Sequence, residues 1–167
     1  MAAATLTADA GTLAKHDLKK GVDFIGITCQ FWCHDGAGNI LLGVRSQKCR
    51  DERGCWDPGG GSMEFGETFE SCVRREVLEE TCVAPLEVKQ VGIRNVLRTN
   101  HEGQPTHWIA VIFAVRIPRE GVKIGEPEKL DDLKWFSPDK FPTPLHSQFW
   151  PHYEIVKATG ALAPKAS

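Results

Sequence analysis

The segment GGGSMEFGETFESCVRREVLEETCV, Gly59 to Val83, carries two patterns at once. Phe69, Cys72, Val73 and Val77 recur at helical spacing, which predicts a helix over Glu67–Thr81. Thr68 is placed to cap its start, and Pro85 bars it from running on. The second pattern is acidic. Glu76, Glu79 and Glu80 stand at i, i+3 and i+4, so their carboxylates share one helical face.

That arrangement is unfavourable on a plain solvated helix. Like charges at these spacings cost about 0.2–0.5 kcal/mol per pair. They also lie near the helix C-terminus, where the dipole disfavours anions. At 100° per residue the acidic stripe overlaps the apolar stripe of Phe69, Cys72 and Val73, so the carboxylates continue the side that faces the protein body. Unpaired carboxylates there are costly unless something neutralises them. A hard divalent cation, Mg2+ or Mn2+, does so with oxygen ligands. The competing account is an exposed acidic helix end partnered by Arg74 and Arg75. The glycines at 59, 60 and 61 weigh against it, because a glycine-rich loop lets backbone groups approach a metal or a phosphate closely.

Outward from this segment the pattern alternates. Val22–Trp32 and Ile40–Val44 read as a hairpin around turn chemistry at His34–Asn39. Gln47–Gly54 reads as a polar surface loop, and the Trp56–Gly61 stretch as tight turning backbone. Val88–Leu97, Trp108–Ile117 and Leu133–Phe136 are strand candidates, separated by loops at Arg98–Thr106 and Pro118–Glu128. Pro144–Lys157 is expected to close the fold as a helix, with Phe149, Trp150, Tyr153 and Val156 turned inward. Strands and helices alternate without a strict βαβ repeat, which predicts an α/β fold with a mixed sheet.

The 167 residues suit one domain with a real core, expected over 21–160, between a loose N-terminal arm (1–20) and a C-terminal tail (161–167). A net charge of -2 leaves no basic surplus for long DNA or RNA. The longest apolar run, Trp108–Val115, falls well short of the roughly 20 residues that span a membrane. Met1–Lys20 lacks a signal-peptide core, so a cytoplasmic location is expected. The six cysteines form no CxxC pair and read as reduced structural thiols. Cys29, Cys33 and His34 lie in a strand-like stretch, where alternate positions face opposite ways. His101 and His107 read as structural or solvated.

Gly61, Glu67, Arg75, Glu76, Val77, Glu79, Glu80 and Val83 fall on G-x5-E-x7-R-E-U-x-E-E-x-G-U, where U is a bulky apolar residue. Every charged position and every spacing is met over 23 residues, so the chain resembles the Nudix hydrolase family. Trp56 ahead of the box and Glu126-Pro127-Glu128 followed by Trp135-Phe136 extend the resemblance to roughly Val22–Phe141. It departs at Cys82, where the box has its last glycine, and at Pro58, one residue earlier than the usual proline. The first substitution implies a small stability cost, since that position often takes a left-handed conformation. The second implies a differently shaped loop.

The resemblance implies a Nudix-type α/β/α sandwich and hydrolysis of a nucleoside diphosphate linked to another group. By position, Glu76, Glu79, Glu80 and the Gly60 carbonyl would hold Mg2+ or Mn2+, while Arg75 and Glu67 would orient those glutamates. Glu76, or Glu126 or Glu128 from the later loop, would serve as general base. Arg45, Trp56 and Glu128 are the candidate contacts to a small nucleotide substrate, with packing the favoured role for Trp56. A nucleoside triphosphate pyrophosphohydrolase is the leading reading. ADP-ribose or nucleotide-sugar pyrophosphatase is the close alternative. A non-catalytic nucleotide-binding module is the alternative from another class, and an isoprenoid diphosphate isomerase lacks a cysteine that can be placed.

Overall fold

The computed structural model describes residues 18–164. The expected arm therefore lies outside the described residues up to residue 17, and the end of the expected tail does so from 165. Seven strands form one sheet: β1 (Gly26–His34), β2 (Ile40–Arg45), β3 (Trp56–Asp57), β4 (Gly60–Ser62), β5 (Glu87–Thr99), β6 (Pro105–Arg116) and β7 (Leu130–Phe136). Two helices complete the described residues, α1 (Phe69–Thr81) and α2 (Phe149–Ala158). The main path runs β3-β2-β1-β6-β5, with β4 beside β1 and β7 beside β2. β1 and β6 are parallel and the other pairs antiparallel, so the sheet is mixed.

Strand alternation divides the core into two layers. Cys29, Phe31 and Cys33 of β1 and Val111, Phe113 and Val115 of β6 pack on Cys72, Val73 and Val77 of α1. Trp32 of β1 and Ile112 and Ala114 of β6 pack on Phe149, Tyr153 and Val156 of α2. The helices thus cover opposite faces, which makes the expected α/β/α sandwich. A bulge between Gln90 and Gly92 of β5, and the missing side chain at Gly92, let α2 come close; a Cβ there would stand 2.5 Å from Ile155. Leu162, in the expected tail, packs into the same cluster as α2. No helix among the described residues is long and apolar enough to cross a membrane.

Several boundaries differ from expectation, those of β1, the closing helix and the glycine run most tellingly. β1 starts at Gly26, because Val22 and Asp23 donate to the Lys19 carbonyl and close a turn first. It also runs through His34, and the turn that follows is tied by the Asp35 carboxylate to the amides of Ala37 and Asn39. The closing helix begins at Phe149 and not at Pro144. Residues 144–146 spend their backbone on Trp56 instead: Trp56 N donates to Pro144 O, and His146 N to Trp56 O. Trp150, expected inward, is exposed. The glycine run contains a strand as well as turns, with Gly60, Gly61 and Ser62 opposite Gln30, Cys29 and Thr28.

Candidate active site

Helix α1 is anchored at both ends. Thr68 Oγ1 accepts from Ser71 N, and Ser71 Oγ accepts from Thr68 N, a reciprocal cap that fixes where the helix starts. At the other end Cys82 adopts φ 61, the left-handed geometry expected of the missing glycine. For an L side chain that costs about 1 kcal/mol. Beyond it the 118–128 loop folds back onto the helix end. Lys123 N donates to Thr81 O and Gly125 N to Glu80 O. These bonds satisfy carbonyls the helix leaves open.

Between the two ends the acidic face divides. Glu76 and Glu80 are buried, with 5% and 7% of their surface exposed. The Glu79 side chain stays on the rim, 44% exposed. Oxygens of Glu76, Glu80 and Glu126 all lie within 4.8 Å of one another. The converging trio therefore takes Glu126 from the loop, while Glu79 stands outside it. Asp57 is buried nearby and adds to the negative charge felt by Glu80.

Arg75 ties this acidic group together. Its Nε and Nη2 donate to the two Glu67 oxygens at 2.7 and 3.0 Å, and its Nη1 to Glu76 at 2.8 Å and Glu79 at 3.1 Å. The paired bonds hold the Glu67 carboxyl down at about 2. Burial works the other way on Glu76 and Glu80. It raises the carboxyl of Glu76 despite Arg75, and it raises Glu80 well above the ordinary range, helped by the nearby charges of Glu76 and Asp57. One Glu76 oxygen is buried with no hydrogen-bond partner. Lys129, paired with Glu126 at 2.8 Å, is a second cation at the trio beside Arg75.

Glycines 59–61 are pressed against these carboxylates. A Cβ on Gly61 would fall 1.8 Å from the Glu76 carboxyl carbon, and one on Gly59 would fall 2.9 Å from a Glu80 oxygen. Phe31 N donates to Gly59 O and Thr28 Oγ1 to Gly61 O, which holds the run in place. Three converging carboxylates, an orphaned buried oxygen and backbone at close approach fit a hard divalent cation. Its natural donors would be Glu76, Glu80 and Glu126.

The site opens into a cleft of about 690 Å³ that reaches from Glu76, Glu79 and Glu80 on α1 to Gln148 and His152 on the opposite face. Such a volume suits a nucleotide-sized ligand. Arg45 lines it, bonded to Asp51 at 2.7 Å and to Asp57 at 3.5 Å. Trp56 packs edge-on against Phe136 with centroids 4.9 Å apart, the packing role favoured from sequence. Glu128 is exposed and paired with Lys48 at the mouth of the cleft. His101 is exposed, and His107 bonds Asn95 at 2.9 Å.

The 46–55 loop, polar as expected, is latched. Arg98 of β5 holds Asp51 at 3.0 Å and Glu52 at 2.5 Å, and Glu52 accepts from Ser147 N and Oγ. Burial disfavours ionisation of both acids. For Asp51 the charges of Arg45 and Arg98 prevail, and for Glu52 the Ser147 bonds prevail, so both carboxyls stay below their ordinary range. The latch therefore contributes stability above the usual carboxylate range and loses it as pH falls below. Cleavage of this loop by a protease active in acid is expected to accelerate from about pH 6 to about pH 3. Arg98→Met should produce comparable acceleration at neutral pH. An unchanged cleavage rate in that variant would rule the latch out.

The NUDIX domain model matches residues 29–158. The chain is 30% identical over 115 residues to the oxidized purine nucleoside triphosphate hydrolase of Danio rerio, a stretch covering 68% of this chain and 65% of that relative. Among solved structures it is similar to the MutT NUDIX hydrolase of Burkholderia pseudomallei, at 26% identity and TM-score 0.65, covering 84% of this chain and 98% of that one. The NUDIX domain of Shewanella oneidensis NrtR, solved with ADP ribose, shares the fold at 19% identity and TM-score 0.63, over 89% of this chain and 94% of that one. The domain match runs from within β1 to the last residue of α2, so the chain as a folded unit, and not the acidic segment alone, belongs to the Nudix family.

Proposed function

We propose that this protein is a divalent-metal-dependent pyrophosphohydrolase of nucleoside triphosphates, releasing a nucleoside monophosphate and pyrophosphate. The reading rests on one observation above all. Glu76, Glu80 and Glu126 converge out of solvent against a glycine run, at one side of a cleft large enough for a nucleotide. The name of the Danio rerio relative supports a nucleoside triphosphate as substrate.

In this reading Glu76, Glu80 and Glu126 hold Mg2+ or Mn2+, which supplies charge neutralisation on the phosphate oxygens and a more acidic attacking water. Arg75 keeps Glu76 oriented through Nη1 while its other nitrogens are anchored on Glu67. The water oxygen forms a bond to phosphorus, the anhydride P–O bond breaks, and pyrophosphate leaves with the electron pair. In this reading a carboxylate of the trio takes the proton from that water. Glu128, held by Lys48 at the mouth, serves the approach of substrate rather than the proton transfer.

A panel of nucleoside triphosphates, dinucleotides, ADP-ribose and nucleotide sugars, with Mg2+ or with chelator, tests this when products are identified by mass. Monophosphate and pyrophosphate from triphosphates, abolished by chelator, are expected. Turnover confined to ADP-ribose or nucleotide sugars would replace the substrate assignment. Binding without any product would replace the enzyme with a nucleotide-binding module.

A further inference from the structure

The cleft ends in chemistry that the acidic site does not use. His152 lies on α2, one turn beyond Gln148, with 4% of its surface exposed. It lines the cleft, and its Nε2 is buried with no hydrogen-bond partner. A buried polar atom in that condition is costly unless a ligand completes it. Part of the cleft wall is apolar, since Val96, Trp108 and Ala110 form a buried cluster of their own and line the same space, while Arg98 and His146 are the polar neighbours of His152 along it. The Gln148 side chain also lines it, its oxygen engaged by Arg94 Nη1 at 3.2 Å.

We propose that His152 is the residue through which this protein reads the heterocyclic base of its nucleotide, its Nε2 bonding the edge of a base seated beside Val96, Trp108 and Ala110. The inference rests on the nucleotide reading above and adds to it where the base lies and what discriminates it. Burial, reinforced by the charges of Arg94, His146 and Arg98, holds the imidazole down at about 4. A neutral ring offers one donor and one acceptor, which matches a base edge. It is the wrong partner for a phosphate, which calls for cations. Helix α2 is held close to the sheet at Gly92 and Ile155, so the ring is carried on a fixed element.

The test compares the Mg2+-loaded protein with His152→Leu and His152→Gln on the four ribonucleoside triphosphates and on ribose 5-triphosphate, which has no base. His152→Leu is expected to lower kcat/KM on the preferred nucleotide at least about tenfold, mainly through KM, while the abasic substrate changes less than about twofold. His152→Gln should recover part of the loss, because it restores a donor and an acceptor. A parallel fall on nucleotide and abasic substrate, or an unchanged base preference, overturns the proposal. A second readout is independent of turnover and of the variants' folding. Adenosine, guanosine, cytidine and uridine, added to the 15N-labelled wild-type protein, should move the His152 imidazole nitrogen signals for at least one nucleoside. Shifts without hydrolysis of any nucleotide would sink the enzymatic reading and leave the base site standing. No shift with any of the four would sink the base site alone.

Discussion

Replacing Glu80 with Gln is expected to leave a folded protein that no longer responds to Mg2+ or Mn2+ and has lost most of its turnover. Glu80 is buried beside Glu76 and Asp57, and its carboxyl is driven upward by burial before any other cause. Glutamine keeps the size of the side chain and removes the charge. Without metal the variant should therefore melt at or above the wild-type temperature, because a charge held at a cost has gone. With metal the order reverses, since a cation stabilises only a protein that binds it. Loss of one ligand should reduce turnover about 10²–10⁴-fold, the range that several kcal/mol of transition-state stabilisation represents. Thermal melts with and without cation, beside steady-state rates, check both halves. A variant with wild-type rates and a wild-type melting response would remove Glu80 from the metal site.

The second large effect comes from a residue without a side chain. Gly125 lies against the end of α1, where a Cβ would stand 1.8 Å from the Glu79 carbonyl oxygen and 3.1 Å from Cys82 Sγ. The oxygen belongs to the helix backbone and cannot swing away. Gly125→Ala must therefore push the 118–128 loop off the helix, breaking the Gly125 N to Glu80 O bond and withdrawing the adjacent Glu126 from the trio. Overpacking of this kind costs about 1–3 kcal/mol. Displacement of a carboxylate by a neighbour it depends on should weaken cation affinity about 10–100-fold. Calorimetric titration with Mn2+ and a chemical denaturation curve would show both. Wild-type affinity in a stable Gly125→Ala protein would mean that Glu126 is no part of the site.

These two residues stood differently in the sequence. Glu80 was legible because a helix has a fixed period, so its position on the inward face follows from Val73 and Val77. Gly125 carried no such signal. Its role depends on which backbone lies opposite, and that depends on the loop's path. The same distinction explains the choice between Glu126 and Glu128. Two acids flanking Pro127 in a loop look equivalent in the sequence, and the one assigned to the substrate pairs with Lys48 at the surface. The neighbour that reaches the trio reads in the sequence only as an alternative general base, the metal ligands being expected at Gly60, Glu76, Glu79 and Glu80. Glu79 shows the opposite limit. Its spacing puts it on the shared face, yet one step around the helix from the buried centre is enough to leave it on the rim beside Arg75.

What the sequence by itself determined is whatever follows from local period and fixed spacing. That covers the helix with its Thr68 cap, the acidic face, the family motif and a mixed sheet with helices packed on it; the left-handed position at Cys82 and the two helical layers follow only from the family resemblance that the motif carries. Tertiary structure alone decided the contacts between segments distant along the chain. It recruited Glu126 to the trio, turned part of the glycine run into a strand beside β1, latched the 46–55 loop through Arg98 and set His152 at the far wall of the cleft. The physical reason is that spacing along one element fixes directions around its own axis. The partner opposite is fixed by packing and backbone hydrogen bonds that no single segment encodes.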